Sequence, residues 1–280
     1  MTTPAVTPSP SPAVVDAGGA GLPPADLAGP RRPRGSFPPL RGLLPLGVLL
    51  GIWQLTASEA SPYFPPPSTW ARGVARLWDN GTLAPAAVET LLTFGLSLLV
   101  ASVMGAALGI LVGVSRKADR ALGPTLEFAR AMPPAAMVPI AALLIGYDQQ
   151  MKVAVVTFAA IWPILLNARA GVRSLDPVLL DMARSLHLSR FDRIRKAVLP
   201  ALMPAILLGV RVAAPVSLVI TLLVEILTRV GGLGGLIALS QRNYLAGQVY
   251  GLILVAGLFS FAVNGLVAVL ESYLFRHRPR

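Results

Sequence analysis

Cysteine is absent from the 280 residues. Disulfides, metal thiolates and thiol nucleophiles are thereby excluded. Charge is scarce as well: Asp, Glu, Lys and Arg supply 13% of the sequence, against roughly 25% in soluble domains, while hydrophobic residues supply 54%. With a mean hydropathy of +0.67, this balance excludes an ordinary soluble domain and describes an integral membrane protein. Histidine occurs twice, at His187 and His277, both outside the long apolar runs. The G-x-S at Gly95 to Ser97 therefore lacks an intramembrane base, and no H-E-x-x-H metal motif occurs, so no catalytic or metal-ligating residues are assigned. A G-x-x-x-x-G-K-[ST] loop is missing too: Lys117, Lys152 and Lys196 are the only lysines, and none follows a glycine. The alternation expected of barrel strands is also missing, which leaves helices to do the crossing.

What is present is a series of apolar runs. Leu91 to Val114 and Gly247 to Leu270 carry no charge, and each exceeds the roughly 20 residues needed to cross a hydrocarbon core. The sequence predicts an all-α polytopic protein of about six spans, centred near residues 49, 102, 137, 161, 213 and 259. Of 24 basic residues, seventeen fall on one side of these spans: Arg31, Arg32, Arg34, Arg41, Arg116, Lys117, Arg120, the seven from Arg169 to Lys196, and Arg276, Arg278 and Arg280. Five fall on the other, Arg72, Arg76, Lys152, Arg229 and Arg242, and Arg130 and Arg211 lie within or at the edge of spans. By the positive-inside rule the crowded side is cytoplasmic, and both termini with it. The net charge of +11 then reports orientation in a plasma membrane, not a nucleic-acid partner.

Residues 1–38, rich in Pro, Ala, Gly and Ser, read as a disordered cytoplasmic tail, 39–275 as the membrane domain and 276–280 as a short cytoplasmic tail. In "SPYFPPPSTWARGVARLW" Ser68 is the expected N-cap of a short helix, and Trp70, Val74, Leu77 and Trp78 form its interfacial face. In "RAMPPAAMVPI" Pro133, Pro134 and Pro139 remove backbone donors and must kink or interrupt the third span. Such a break is either a packing kink or the lining of a transport pathway.

A charged stretch, "DMARSLHLSRFDRIRKAVLP", separates the fourth and fifth spans. Asp176 followed by Pro177 predicts a helix to about Leu186. Ser189 with Asp192 makes a capping-box-like pair that opens a second helix. Between them the chain must bend through the left-handed region at His187 or Leu188.

This stretch resembles the cytoplasmic coupling loop of importer permeases of the ATP-binding cassette (ABC) class. Asp181, Met182 and Ala183 stand at the family's Glu-Ala-Ala positions, His187 at its Gly, and Leu199 and Pro200 at its closing Leu-Pro. The likeness extends in order through "FPPPSTW", "GVSRKADRALGPTLEFARAMPPAAMVPIAALLIG", "PILLNARAGVRSLDPVLLDMARSL", "LPALMPAILLGVRVA" and "VEILTRVGGLGGLI", the pattern of permeases for nitrate, sulfonate, taurine and related small organic solutes. The resemblance implies a type I importer permease fold and no cofactor in this chain, with ATP and Mg held by two separate ATPase subunits. It also implies an extracytoplasmic solute-binding protein and a second permease copy. The coupling loop, about 170–200, would contact the ATPase through Leu180, Asp181, Met182, Ala183, Arg184, Leu186, His187, Arg190, Leu199 and Pro200. An ATP-independent transporter or channel is the alternative, but it has no need of this projection.

Arg211 is expected near mid-membrane, partnered by Glu127, Glu89 or a carbonyl freed at the break. Arg130 and Arg211 either lend positive potential to an anion pathway, with Pro133, Pro134, Pro139 and Glu225, or hold the bundle together. Glu225 and Arg229, four apart before "GGLGGL", are either a surface ion pair beside a flexible turn or part of the outward-side gate region that the resemblance implies here.

Overall fold

The computed structural model describes residues 38–59 and 61–275, and within them all side chains except those of residues 38–43, 180, 184, 190, 191, 268 and 270–275. The expected tails, 1–38 and 276–280, lie outside the described residues except for Pro38, which begins the first helix. Met1–Leu46 and Gly47–Arg280 form separate units. The first contributes the beginning of α1 (Pro38–Thr56), and the second contains the rest of α1 and every later helix.

Among the described residues every regular element is helical: α2 (Pro67–Asp79), α3 (Leu83–Val114), α4 (Arg116–Ala131), α5 (Pro134–Ile145), α6 (Gln149–Arg173), α7 (Pro177–Ser185), α8 (Arg190–Arg193), a π-helical turn (Ile194–Val198), α9 (Leu199–Thr228), α10 (Gly232–Arg242) and α11 (Ala246–Phe275). Among the described residues four helical stretches are long and apolar enough to cross a membrane: α3, α6, the run Ile194–Thr228, and Ala246–Val267 within α11. The expected third span is a pair, α4 and α5, bent by 93°. The expected first span contains a shorter apolar helix, Leu44–Thr56. The count of about six therefore resolves into four helices, one broken pair and one short segment.

The core is α6 sandwiched between α3 and α9. Gly105, Gly109 and Gly113, each four residues apart on α3, present a side-chain-free stripe to α6. A Cβ on Gly105 would crowd Ile161 and Ile164, one on Gly109 would strike the Leu165 carbonyl and Ala168, and one on Gly113 would meet Val172. Such stripes let helices approach closely where the hydrophobic effect drives no association. Gly209 does the same for α9 against Pro163 and Ile164 of α6. Ala101, Ala160, Ile164, Ala168, Leu202 and Ala213 are buried between the three helices.

The α2 helix folds onto α11. It starts at Pro67 with Pro66 as its cap residue, not Ser68. The Ser68 amide instead donates to Gln54 Oε1 at 2.9 Å, and Gln54 Nε2 donates to the Ser68 hydroxyl at 3.1 Å. The expected interfacial face is divided. Trp78 is exposed and Leu77 buried, and Trp70 stacks on Tyr250 at 5.2 Å with Trp53 edge-on to both.

Candidate functional site

The charged stretch folds as a projection between α6 and α9. Asp176 Oδ1 accepts from the Val178 amide at 2.8 Å, opening α7 with Pro177 at its first position. The helix closes on a left-handed residue, His187, with φ 52°. The Leu188 amide reaches back to the Ala183 carbonyl at 3.3 Å, the long bond of a Schellman ending. Ser189 then caps the next helix: its hydroxyl accepts from the Asp192 amide at 3.1 Å and donates to Asp192 Oδ2 at 2.9 Å.

Two features depart from expectation. The second helix is not a separate piece, because α8 continues through the π-helical turn into α9. Pro200 lacks the amide an α-helix requires and crowds the carbonyl four residues back. The wider turn absorbs the misfit, and the Leu199 amide bonds Ile194 at the five-residue spacing. Leu199 and Pro200 are thus the start of a long helix. Ala183 is buried within the projection, so its side chain packs rather than presents a surface. Val178, Met182 and Leu186 form an exposed apolar row, 59%, 62% and 72% accessible. Asp181 and His187 are exposed as well. The side chains of Leu180, Arg184 and Arg190 lie outside the described residues.

At the break, Met132 and Pro133 are extended, Pro134 begins α5 and Pro139 lies within it. Arg130 Nη2 pairs with Glu127 Oε2 at 2.6 Å on the exposed surface of α4. Arg211 lies on the exposed side of α9. Glu127 bonds Arg130 and Glu89 bonds Lys152.

At the opposite end of the bundle from α7 lies an ion cluster that the sequence did not announce. Lys152 is not a loop cation but a fully buried residue of α6. Its ammonium donates to Glu89 Oε1 at 2.7 Å and to the Val230 carbonyl at 2.9 Å, and lies 3.8 Å from Glu225 Oε1. Glu225 is also fully buried and does not form the surface pair expected with Arg229. Helix α9 ends at Thr228, and Arg229 takes a left-handed conformation, φ 58°, that turns it off the helical register. Glu225 Oε2 instead accepts from Thr90 Oγ1 at 2.9 Å and from the Gly234 amide at 3.1 Å. Glu89 Oε2 accepts from the Gly232 amide and Thr90 Oγ1 from the Leu233 amide. Three side chains thereby satisfy the first amides of α10, in the role a capping residue would play. Gly231 and Gly232 have positive φ, and a Cβ on either would collide with Glu89 or Glu225. The cluster borders an open cavity of about 630 Å³ lined by Glu89, Arg229, Gly232, Leu239 and Arg242. The signal for it was faint: Glu89, Lys152 and Glu225 are single charges in apolar surroundings, far apart in the chain.

Comparison with known proteins bears on this architecture. Residues 82–278 match the family model described as binding-protein-dependent transport system inner membrane component. The nitrate import permease protein NrtB of Leptolyngbya laminosa is 32% identical over 273 residues, 89% of this chain and 96% of that protein. The bicarbonate transport system permease protein CmpB of Synechococcus elongatus is 30% identical, covering 84% and 90%. The putative aliphatic sulfonates transport permease protein SsuC of Bacillus subtilis is 26% identical, covering 85% and 88%. Among solved structures, a chain of the MetNI methionine ABC transporter in an inward-facing conformation superposes with a TM-score of 0.54 at 18% identity, over 70% of this chain and 97% of that one. The bundle is therefore of the type I ABC importer permease kind, and the chain belongs to the family of binding-protein-dependent transport system inner membrane components, as a membrane-spanning permease and not an enzyme.

Proposed function

We propose that the chain is the translocation subunit of an ATP-driven importer for a small oxyanion, of the class of nitrate, bicarbonate or an alkanesulfonate such as taurine. The α7 end faces the cytoplasm, where it meets two separate ATPase subunits that hold ATP and Mg; the α10 end faces outward, toward a solute-binding protein. The carrying observation is the exposed row Val178, Met182 and Leu186 on a short helix fastened at both ends by a cap and a left-handed turn. An apolar row on a rigid projection suits insertion into a groove of a partner, with the exposed Asp181 beside it to set the register. The proline break and the Arg211 face of α9 are assigned to the pathway, where Arg130 and Arg211 lend positive potential to an anion.

Met182→Asp with Leu186→Asp tests the docking assignment, since both side chains are exposed and the change should leave membrane insertion intact. The variant is expected to lose co-purification with the ATPase subunits and at least tenfold in uptake, about 1.4 kcal/mol of contact energy. Retained co-purification and uptake would remove the projection from this role. Uptake that persists without any ATPase subunit would favour a secondary transporter.

A further inference from the structure

The start of α4 is tied to the end of α6 by one carboxylate. Asp119 Oδ1 lies 2.5 Å from Arg169 Nη2, and Asp119 Oδ2 bonds Arg173. The two arginines are four apart on α6 and so share a face. The Asp119 side chain is only 13% accessible and that of Arg169 20%, which shields the pair from the screening that weakens surface ion pairs. Helix α4 itself buries no side chain. Packing therefore does little to fasten it, and the ionic clamp takes that part.

The location gives the clamp a mechanical meaning. Arg173 is the last residue of α6, three before Asp176, the cap of α7. At its other end α4 runs into Met132 and Pro133, where the chain turns by 93° into α5. A shift of α7 is delivered first to the end of α6, and Asp119 sits where that shift passes to α4. We propose that Asp119 is a positioning residue that couples the α7 projection to the proline break, so that movement at the ATPase contact is converted into movement at the pathway. A carboxylate is required because it holds two guanidinium groups at once. An asparagine keeps the shape but leaves Arg169 and Arg173 to repel each other across one turn of α6.

The inference rests on the transport reading above, and its test separates the two. Because the chain has no cysteine, Met132→Cys places a single reporter at the break. In lipid nanodiscs with its ATPase subunits, its labelling by a maleimide is compared without nucleotide and after trapping with ATP and vanadate. The expected nucleotide response in the Met132→Cys parent is at least about fivefold, the lower end of ordinary allosteric coupling. In Asp119→Asn, and equally in the double variant Arg169→Gln with Arg173→Gln, that response is lost while ATP hydrolysis stays at the parental rate. Asp119→Glu keeps it, and combining Asp119→Asn with the arginine pair is no worse than either alone, as expected of groups acting as one unit. A parental response in Asp119→Asn overturns the proposal, as does a parallel fall of hydrolysis and labelling. If Asp119→Asn fails to assemble, the arginine pair decides, and a parental response there overturns it equally. A parent complex with no nucleotide response would remove the transport reading and the proposal together.

Discussion

Lys152 is the residue on which the α10 end of the bundle depends. A fully buried ammonium is tolerable only with charges and dipoles around it, and here they come from Glu89 on α3, Glu225 on α9 and the Val230 carbonyl. Breaking such a pair from one side leaves the rest uncompensated. Lys152→Met is expected to destabilise the folded protein by about 3–5 kcal/mol, read as a lowered unfolding midpoint in detergent. Adding Glu225→Gln and Glu89→Gln should recover part of the loss, and an unchanged midpoint in the single variant would contradict the burial. His187 makes the opposite case. It holds φ 52° at the end of α7, a conformation that costs a non-glycine residue about 1 kcal/mol. His187→Gly should therefore strengthen the turn by about that amount, seen as slower exchange of the Leu188 amide. The left-handed bend was legible in the sequence because its causes are local. The partners of Lys152 were not, because they lie 63 residues before it and 73 after it, and because the expected pairing of Glu225 with Arg229 relied on a helix that in fact stops one residue too soon.

Among elements, the run from α8 through the π-helical turn into α9 joins the projection to the bundle. Its first turn is set by Asp192, whose carboxyl is held below its ordinary value of 3.8 by the hydrogen bond from Lys196, and then by that from Ser189. A depressed folded value means a contribution fully present above the unfolded pKa, about 3.9, and lost as pH falls through the folded value. Hydrogen-exchange protection of residues 192–196 should accordingly be flat from neutral pH to about 5, then decline below about 4. In Asp192→Asn the acid-dependent decline should be missing, and a decline that survives the substitution would assign it to another group. The caps of this region were readable from Asp176, Ser189 and Asp192 as they stand. Its continuity with α9 was not, since a proline two residues into an expected span reads as a stop unless the chain widens its turn first. The Gly105, Gly109 and Gly113 stripe was present in the sequence as a fourfold spacing. Only the packing shows that α6 is what it meets.

At the scale of the whole molecule, the side of α9 turned away from α6 raises the question of what covers it. Leu208, Arg211, Val212, Pro215 and Val219 lie along this exposed side, with Arg211 well inside the apolar run Ile194–Thr228. A guanidinium exposed on a helix face at such depth is found facing a bundle interior or a water-filled cavity and seldom acyl chains, so this face is better suited to water or protein. A second copy of the chain, related by a twofold axis along the membrane normal, would supply both: two projections for a pair of ATPase subunits, and two Arg211 faces enclosing one pathway. Single cysteines at Leu208, Val212 or Val219 should then crosslink between a tagged and an untagged copy, while Leu258→Cys, on the exposed surface of α11, should not. Recovery of the untagged copy with no crosslink along α9 would keep the pairing and move the seam elsewhere. Recovery of a different permease in place of the untagged copy would make the pore heteromeric, and Arg211 would then face the corresponding helix of that partner.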